Sequence, residues 1–140
     1  MTDIHPQLQQ DCLLIGHFPL SRLLLSKDAN YPWFILVPDR EDITEIHQLS
    51  ETDQQQLMRE SSYLSAILAQ QFDADKMNIA AIGNIVGQLH IHHIVRYKDD
   101  IAWPAPVWGK YPPALYSADK LERILVELKY LELQDFDYAI

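Results

Sequence analysis

The sequence predicts an α+β fold: an antiparallel sheet of about five strands, one long helix and shorter helices flanking it. Three observations point there. Short apolar runs come in pairs separated by turn residues. Between residues 50 and 72, apolar side chains recur every three to four positions. A second stretch of the same period lies near the C-terminus. At 140 residues these elements fit one domain spanning 1–140, and 48% hydrophobic residues are enough for a core without a covalent staple.

A short helix is expected from Ile4 to about Gln10, with Pro6 in its first turn, where a missing N–H costs little. Cys12 to His17 and Arg22 to Ser26 are apolar runs separated by Phe18-Pro19, the pattern of two paired strands. Lys27-Asp28-Ala29-Asn30 forms a turn, and Trp33 to Val37 a buried strand ended by Pro38-Asp39. Thr44 to Leu49 is too short and mixed to assign.

The long helix follows. Ser50-Glu51-Thr52-Asp53 offers caps and acidic residues suited to a helix start. Leu57, Met58, Ser61, Leu64, Ile67 and Leu68 then form one buried face, and the helix is expected to run to about Phe72. Met77 to Ile82 and Leu89 to Tyr97 are expected as strands joined by a short turn at Gly83-Asn84. A last helix spans roughly Ala118 to Tyr130, with Leu121, Ile124, Leu125 and Leu128 as its stripe.

Charge and composition narrow the function. Twenty acidic residues against 11 Lys and Arg give a formal net charge of −9, and no basic cluster offsets it. Such a field repels a polyanion, so nucleic acid is not the expected partner. A small anion is still admissible, because a few local donors can hold one phosphate. Cys12 is the only cysteine, which excludes an internal disulfide and points to a reducing compartment. The opening MTDIHPQLQQDC has neither the basic start nor the apolar run of a secretory signal. Apolar stretches are far shorter than the ~20 residues that cross a bilayer. The expectation is a soluble, cytoplasmic protein with no membrane partner.

One segment concentrates chemistry: Asn84-Ile85-Val86-Gly87-Gln88-Leu89-His90-Ile91-His92-His93-Ile94-Val95-Arg96. On a strand, successive side chains point to opposite faces. Gln88, His90, His92 and Ile94 then share one face, and Leu89, Ile91, His93 and Val95 the other. The second set is mostly apolar and suits the core, with His93 read as structural. The first set is the working surface, with two imidazoles about 6.5–7 Å apart along the strand. A neutral imidazole nitrogen is a good nucleophile, and a second one on the same face can donate a hydrogen bond to a phosphate oxygen or a departing group. Arg96 and Lys98 are expected as solvated strand-end cations, and His5, His17 and His47 match no motif.

The segment Gln88-Leu89-His90-Ile91-His92-His93-Ile94 resembles the signature His-φ-His-φ-His-φ-φ of the histidine-triad (HIT) superfamily of nucleotide hydrolases and transferases. In one register Gln88 occupies the first histidine position, His90 the middle and His92 the third. In the other, His90 is first, His92 is in the middle and Ile94 is third. The first is preferred, because Gln at the outer position preserves a hydrogen-bonding group and Ile94 does not. Trp33-Phe34-Ile35-Leu36-Val37-Pro38 is similar to the family strand that ends in Val-Ile-Pro before the long helix. His5-Pro6-Gln7-Leu8…Asp11-Cys12 and Ala102-Trp103-Pro104-Ala105-Pro106-Val107-Trp108-Gly109 resemble a bacterial subgroup described as diadenosine tetraphosphate hydrolase-like. Two positions depart from the pattern. Gln88 replaces the first histidine, and Trp33 stands where many relatives carry a further histidine that orients the nucleophile.

The resemblance implies an HIT-like fold and attack by His90 on the α-phosphate of a nucleoside phosphate conjugate, through a nucleotidyl-histidine intermediate. It implies that His92 assists at a non-bridging oxygen or the leaving group, and that Gln88 and Asn84 hold phosphate oxygens. Asp28 or Asn30 would lie near a ribose. It implies no metal and no cofactor, a small-molecule nucleotide as ligand (an adenylate conjugate or dinucleoside polyphosphate), and a homodimer. The strip from Trp103 to Trp108 walls the ligand or packs between subunits. Two other readings stay open: a nucleotide-binding module with weak catalysis, and a zinc-dependent hydrolase using His90 and His92, with His17 or His93 as a third ligand.

Overall fold

The computed structural model describes all 140 residues. In chain order they form α1 (Pro6–Asp11), β1 (Cys12–His17), β2 (Ser21–Ser26), β3 (Trp33–Pro38), a 3-10 turn (Ile46–Gln48), α2 (Glu51–Gln71), β4 (Lys76–Ala80), β5 (Ile91–Arg96), α3 (Ala118–Tyr130) and β6 (Asp137–Tyr138). One sheet holds all six strands in the order β4-β5-β3-β2-β1-β6, every pair antiparallel. The α+β class stands, with one strand more than expected. β6 is only two residues long, too short to leave a pattern, and it pairs with Gly16 and His17. A Cβ at position 16 would lie 2.2 Å from the Asp137 carbonyl, so this close approach requires glycine.

Both faces of the sheet are covered. On one, α2 and α3 pack over Leu23, Leu25, Phe34, Leu36, Ile91 and Val95 through Leu57, Leu64, Leu68, Ile124 and Leu128. Each such side chain stabilises by about 1.5–3 kcal/mol when fully buried. The other face carries Leu24, Ile35, Val37 and Ile94, covered by Leu8 of α1, by Val86, and by Ala102 and Val107. Central β2 is therefore buried along its whole length, which is why Leu23-Leu24-Leu25 is a continuous run and not an alternation. No helix is long and apolar enough to cross a membrane.

Helix α2 starts as expected: the Ser50 hydroxyl accepts from the Asp53 N–H at 3.1 Å, with Glu51 and Asp53 in the first turn. Its buried face differs at two positions. Met58 is 65% exposed, while Glu60 is buried. The Glu60 carboxylate accepts from the Leu20 N–H at 2.8 Å and from Gln56 at 2.8 Å, so a tertiary backbone contact draws a charged residue into the interface. In α3, Ile124 and Leu128 are buried and Leu121 and Leu125 pack partly buried on the same core.

The largest boundary difference is at β5. The expected strand from Leu89 begins instead at Ile91, and β4 ends at Ala80, so residues 81–90 form a loop in place of a short turn at Gly83-Asn84. The segment 97–117 has no regular structure but is pinned at several points. Arg96, 1% exposed, makes a bidentate pair with Asp100 (2.8 and 3.1 Å) and donates to Asn78 (2.7 Å) and to the Ala105 carbonyl (2.9 Å). It is a buried anchor for this segment, not the solvated cation expected of a strand end. Further along, the Ala29 N–H donates to the Ala114 carbonyl at 2.8 Å, and Asn30 to the Pro112 carbonyl at 3.1 Å.

Candidate active site

The alternation of β5 divides the three histidines as its pattern predicts. His93 points to the helix-covered face and His92 to the other, with His90 just ahead of the strand on His92's side. All three are buried, at 7% exposure or less. The rings of His90 and His92 meet edge to face with centroids 4.9 Å apart, closer than the strand repeat, because His90 lies outside the regular ladder and leans toward its neighbour.

Hydrogen-bond partners assign the tautomers. His90 Nδ1 faces the Gln88 backbone carbonyl at 2.7 Å. A carbonyl only accepts, so Nδ1 carries the proton, and the lone pair of the neutral ring sits on Nε2. His92 has the opposite arrangement. The Trp33 indole N–H, which only donates, reaches His92 Nδ1 at 3.0 Å, so the proton of neutral His92 sits on Nε2. Neither Nε2 has a protein partner, and neither is among the sealed, unpartnered atoms of the molecule, so both open onto solvent. The pair presents one lone pair and one N–H side by side.

β3 and the segment 97–117 build this arrangement. Ile35 pairs with His92 across the β3–β5 ladder, which makes Trp33 its diagonal neighbour on the same face. Trp108 closes on His92 at 5.1 Å and on Trp33 at 5.8 Å, and Tyr31 stacks edgewise on Trp33 at 6.3 Å. The strip from Trp103 to Trp108 thus divides its work: Trp108 walls His92, while Trp103 lies over the Arg96 guanidinium at 5.4 Å. Burial among these rings pushes the His92 pKa down to about 3, with His90 and His93 adding to the effect. His92 is held neutral at physiological pH, with its N–H at Nε2 left without a protein acceptor.

On the opposite face His93 is closed off. Its Nδ1–H donates to the Ile91 carbonyl at 3.0 Å and its Nε2 accepts from the Ser61 hydroxyl of α2 at 2.7 Å. Burial lowers its pKa to about 4, against a rise from the Ile91 bond. No group of three or more His, Cys, Asp or Glu side chains converges to ligate a metal, so His90 and His92 have no third ligand for the zinc reading.

The other expected site residues are placed as follows. Gln88 touches His90 through its backbone carbonyl, while its side-chain amide is engaged with the N-terminal segment. It donates to the Asp3 carbonyl at 2.9 Å and accepts from the His5 N–H at 2.8 Å. Asn84 is exposed in the loop 81–90. Asp28 Oδ1 accepts from the Asn30 and Ala114 N–H groups at 3.0 and 3.2 Å. No hydrogen bond or ring contact joins Asn84 or Asp28 to the imidazole pair. Sequence reasoning missed Trp33 and Trp108 as partners of His92. Their aromatic character was visible, but the β3–β5 register that brings Trp33 beside His92 was not.

A family model described as the HIT domain matches residues 7–99. Among solved structures, a histidine triad protein from Bradyrhizobium japonicum is 46% identical with a TM-score of 0.89, over 91% of this chain and 96% of that one. A histidine triad protein from Marinobacter aquaeolei VT8 is also 46% identical, with a TM-score of 0.90 over 94% of this chain and 96% of its own. A histidine triad (HIT) protein from Sinorhizobium meliloti 1021 is 36% identical, with a TM-score of 0.88 over 91% and 95%. No curated protein matches significantly.

Proposed function

The chain belongs to the HIT domain family, whose members are typically nucleotide hydrolases or transferases, and from that premise we propose that His90 is a nucleophile toward the α-phosphate of a nucleoside phosphate conjugate. The observation that carries this reading is the His90 Nδ1–H bond to the Gln88 carbonyl, which leaves the ring lone pair on the solvent-facing Nε2. Attack forms a P–Nε2 bond and breaks the bond from phosphorus to the leaving group. The positive charge that develops on the ring is shared with Nδ1–H, already held by a carbonyl dipole. His92 donates a hydrogen bond from Nε2 to a non-bridging oxygen or to the leaving group, which departs with the bonding electron pair and takes any proton it needs from solvent. Because the His92 pKa is lowered to about 3, the ring donates while neutral. Water or another acceptor then attacks phosphorus and gives up its proton to solvent, the P–N bond breaks with its electron pair returning to Nε2, and the imidazole is neutral again.

In this reading Gln88 contributes through its carbonyl, Asn84 holds a phosphate oxygen from the exposed loop it occupies, and Asp28 lies near the ribose. The substrate is an adenylate conjugate or a dinucleoside polyphosphate, as in the diadenosine tetraphosphate hydrolase-like subgroup, and residues 1–140 act as one catalytic domain. A homodimer belongs to the same proposal. Edge strand β4 pairs on one side only, and Ile79 and Ile82 are 50% and 43% exposed. A monomer mass by light scattering at all concentrations would remove it.

The test is nucleotide release from diadenosine tetraphosphate and adenosine phosphoramidate, with EDTA present, by the wild type and by His90→Ala. The expected result is AMP release that falls by about three orders of magnitude or more in the variant. A wild type that binds AMP but turns over neither compound supports a binding module instead.

A further inference from the structure

Residue 88 lies in a bend three positions ahead of β5, where no strand ladder fixes its carbonyl. Two other grips hold it. The Leu89 N–H donates to the Ile43 carbonyl at 2.9 Å and holds the peptide that joins residues 88 and 89. The Gln88 side chain supplies the second grip, donating to the Asp3 carbonyl and accepting from the His5 N–H. Its primary amide thus makes toward residues 3–5 the donor-and-acceptor pair that a neighbouring backbone makes in a ladder.

The N-terminal segment is in turn anchored further out. Thr2 donates to Asp39 Oδ1 from its N–H at 2.7 Å and from its hydroxyl at 2.9 Å. Arg22, 7% exposed, donates to the Thr2 carbonyl and, at 2.8 Å, to its hydroxyl. A cavity of about 450 Å³ lined by Met1, Ile4, Leu8, Cys12, Arg22 and Leu24 lies beside the segment. Hydrogen bonds and the packing of Ile4 on the cluster of Leu8, Leu24 and Val37 together hold it there. The path from Asp39 and Arg22 through Thr2, Asp3 and His5 to Gln88 ends on the carbonyl that orders His90.

We infer that the N-terminal segment is a positioning element for His90 and acts through Gln88; the catalytic consequence rests on the nucleophile reading above. Gripped by its amide, residue 88 keeps its carbonyl on His90 Nδ1 and so keeps the lone pair on Nε2. With the grip removed, the bend relaxes and His90 samples the other tautomer and other ring angles, in which Nε2 no longer faces phosphorus.

Gln88→Met keeps the side-chain length and loses both hydrogen bonds. The His90 tautomer is read by nitrogen NMR of the imidazoles in the full-length protein, and kcat and KM are read with adenosine phosphoramidate. His92 and His93 resonances at their wild-type positions report an intact fold. The expected result is a single His90 tautomer in the wild type, a mixture in Gln88→Met, and kcat lower by about tenfold with KM within about twofold. Thr2→Ala, at the remote end of the segment, shifts both readouts less and in the same direction, and carries the test if Gln88→Met does not fold. Wild-type tautomer and wild-type kcat in the folded variants overturn the inference. Should the wild type turn over neither adenylate conjugate, the nucleophile reading falls, while the tautomer comparison still decides the positioning role.

Discussion

The two faces of β5 treat adjacent histidines in opposite ways. His93, under α2, has both ring nitrogens engaged, one by the Ile91 carbonyl and one by the Ser61 hydroxyl. Across the strand, His92 and His90 each have one nitrogen engaged, by Trp33 and by the Gln88 carbonyl, and one left open. Burial is similar on both sides, at 7% exposure or below, so burial does not separate the structural imidazole from the pair proposed to react. Completeness of the hydrogen-bond circuit does. A polar group sealed inside a protein without partners is costly, so the core face completes its set. The other face leaves two ring nitrogens without protein partners, one on His90 and one on His92, where solvent reaches them.

The broadest way to stress this comparison is acid, because it acts on both faces at once. His92 and His93 have folded-state pKa values of about 3 and about 4, below the 6.5 of an unperturbed histidine. Between those values the unfolded chain binds protons that the folded chain refuses, so stability falls as pH drops below about 6.5. The slope approaches roughly 1.4 kcal/mol per pH unit for each histidine and levels off near each folded-state value. Urea unfolding between pH 7.5 and 5 reads it. A flat profile would mean that neither ring is held neutral by its surroundings.

A matched pair of variants separates the faces. Ser61→Ala leaves His93 Nε2 buried without a partner and is expected to lower stability by about 1–3 kcal/mol. Turnover by the folded protein is expected to stay at the wild-type level, because the Ser61 hydroxyl bonds to the closed histidine and to neither His90 nor His92. Trp33→Phe keeps most of the aromatic packing but removes the donor to His92 Nδ1. The expectation here is a smaller effect, about tenfold in kcat (about 1.4 kcal/mol), with little change in the urea midpoint. Turnover lost in Ser61→Ala, or kept in Trp33→Phe, breaks the division between a structural and a reactive face.

How much of this was legible in the sequence follows from the range over which each signal acts. The cap at Ser50, the stripe through Leu57, Leu64 and Leu68, and the opposite facing of His92 and His93 are local properties of helix and strand geometry, and they held. Glu60 entered the core of α2 because it meets the Leu20 N–H, a contact forty residues away that no periodicity encodes. Alternation through Gln88 to His90 predicts strand there, but the ladder begins only at Ile91 because no partner lies opposite the three residues before it. The tautomers, which decide what the site can do, depend on Trp33 and on a backbone carbonyl. The first needs the sheet register and the second carries no sequence signal.

The segment 97–117 has the appearance of a surface loop but is tied to the buried Arg96 near its start and to the turn at Asp28, Ala29 and Asn30 further on, with Trp108 seated on His92 between. Ordinary loops absorb extra residues at little entropic cost, since closure entropy grows only slowly with length. Here an added residue, an epitope tag or a shuffled linker would have to shift one of the tie points, and Trp108 would move with it. Protein engineers looking for a permissive insertion site should pass over this stretch.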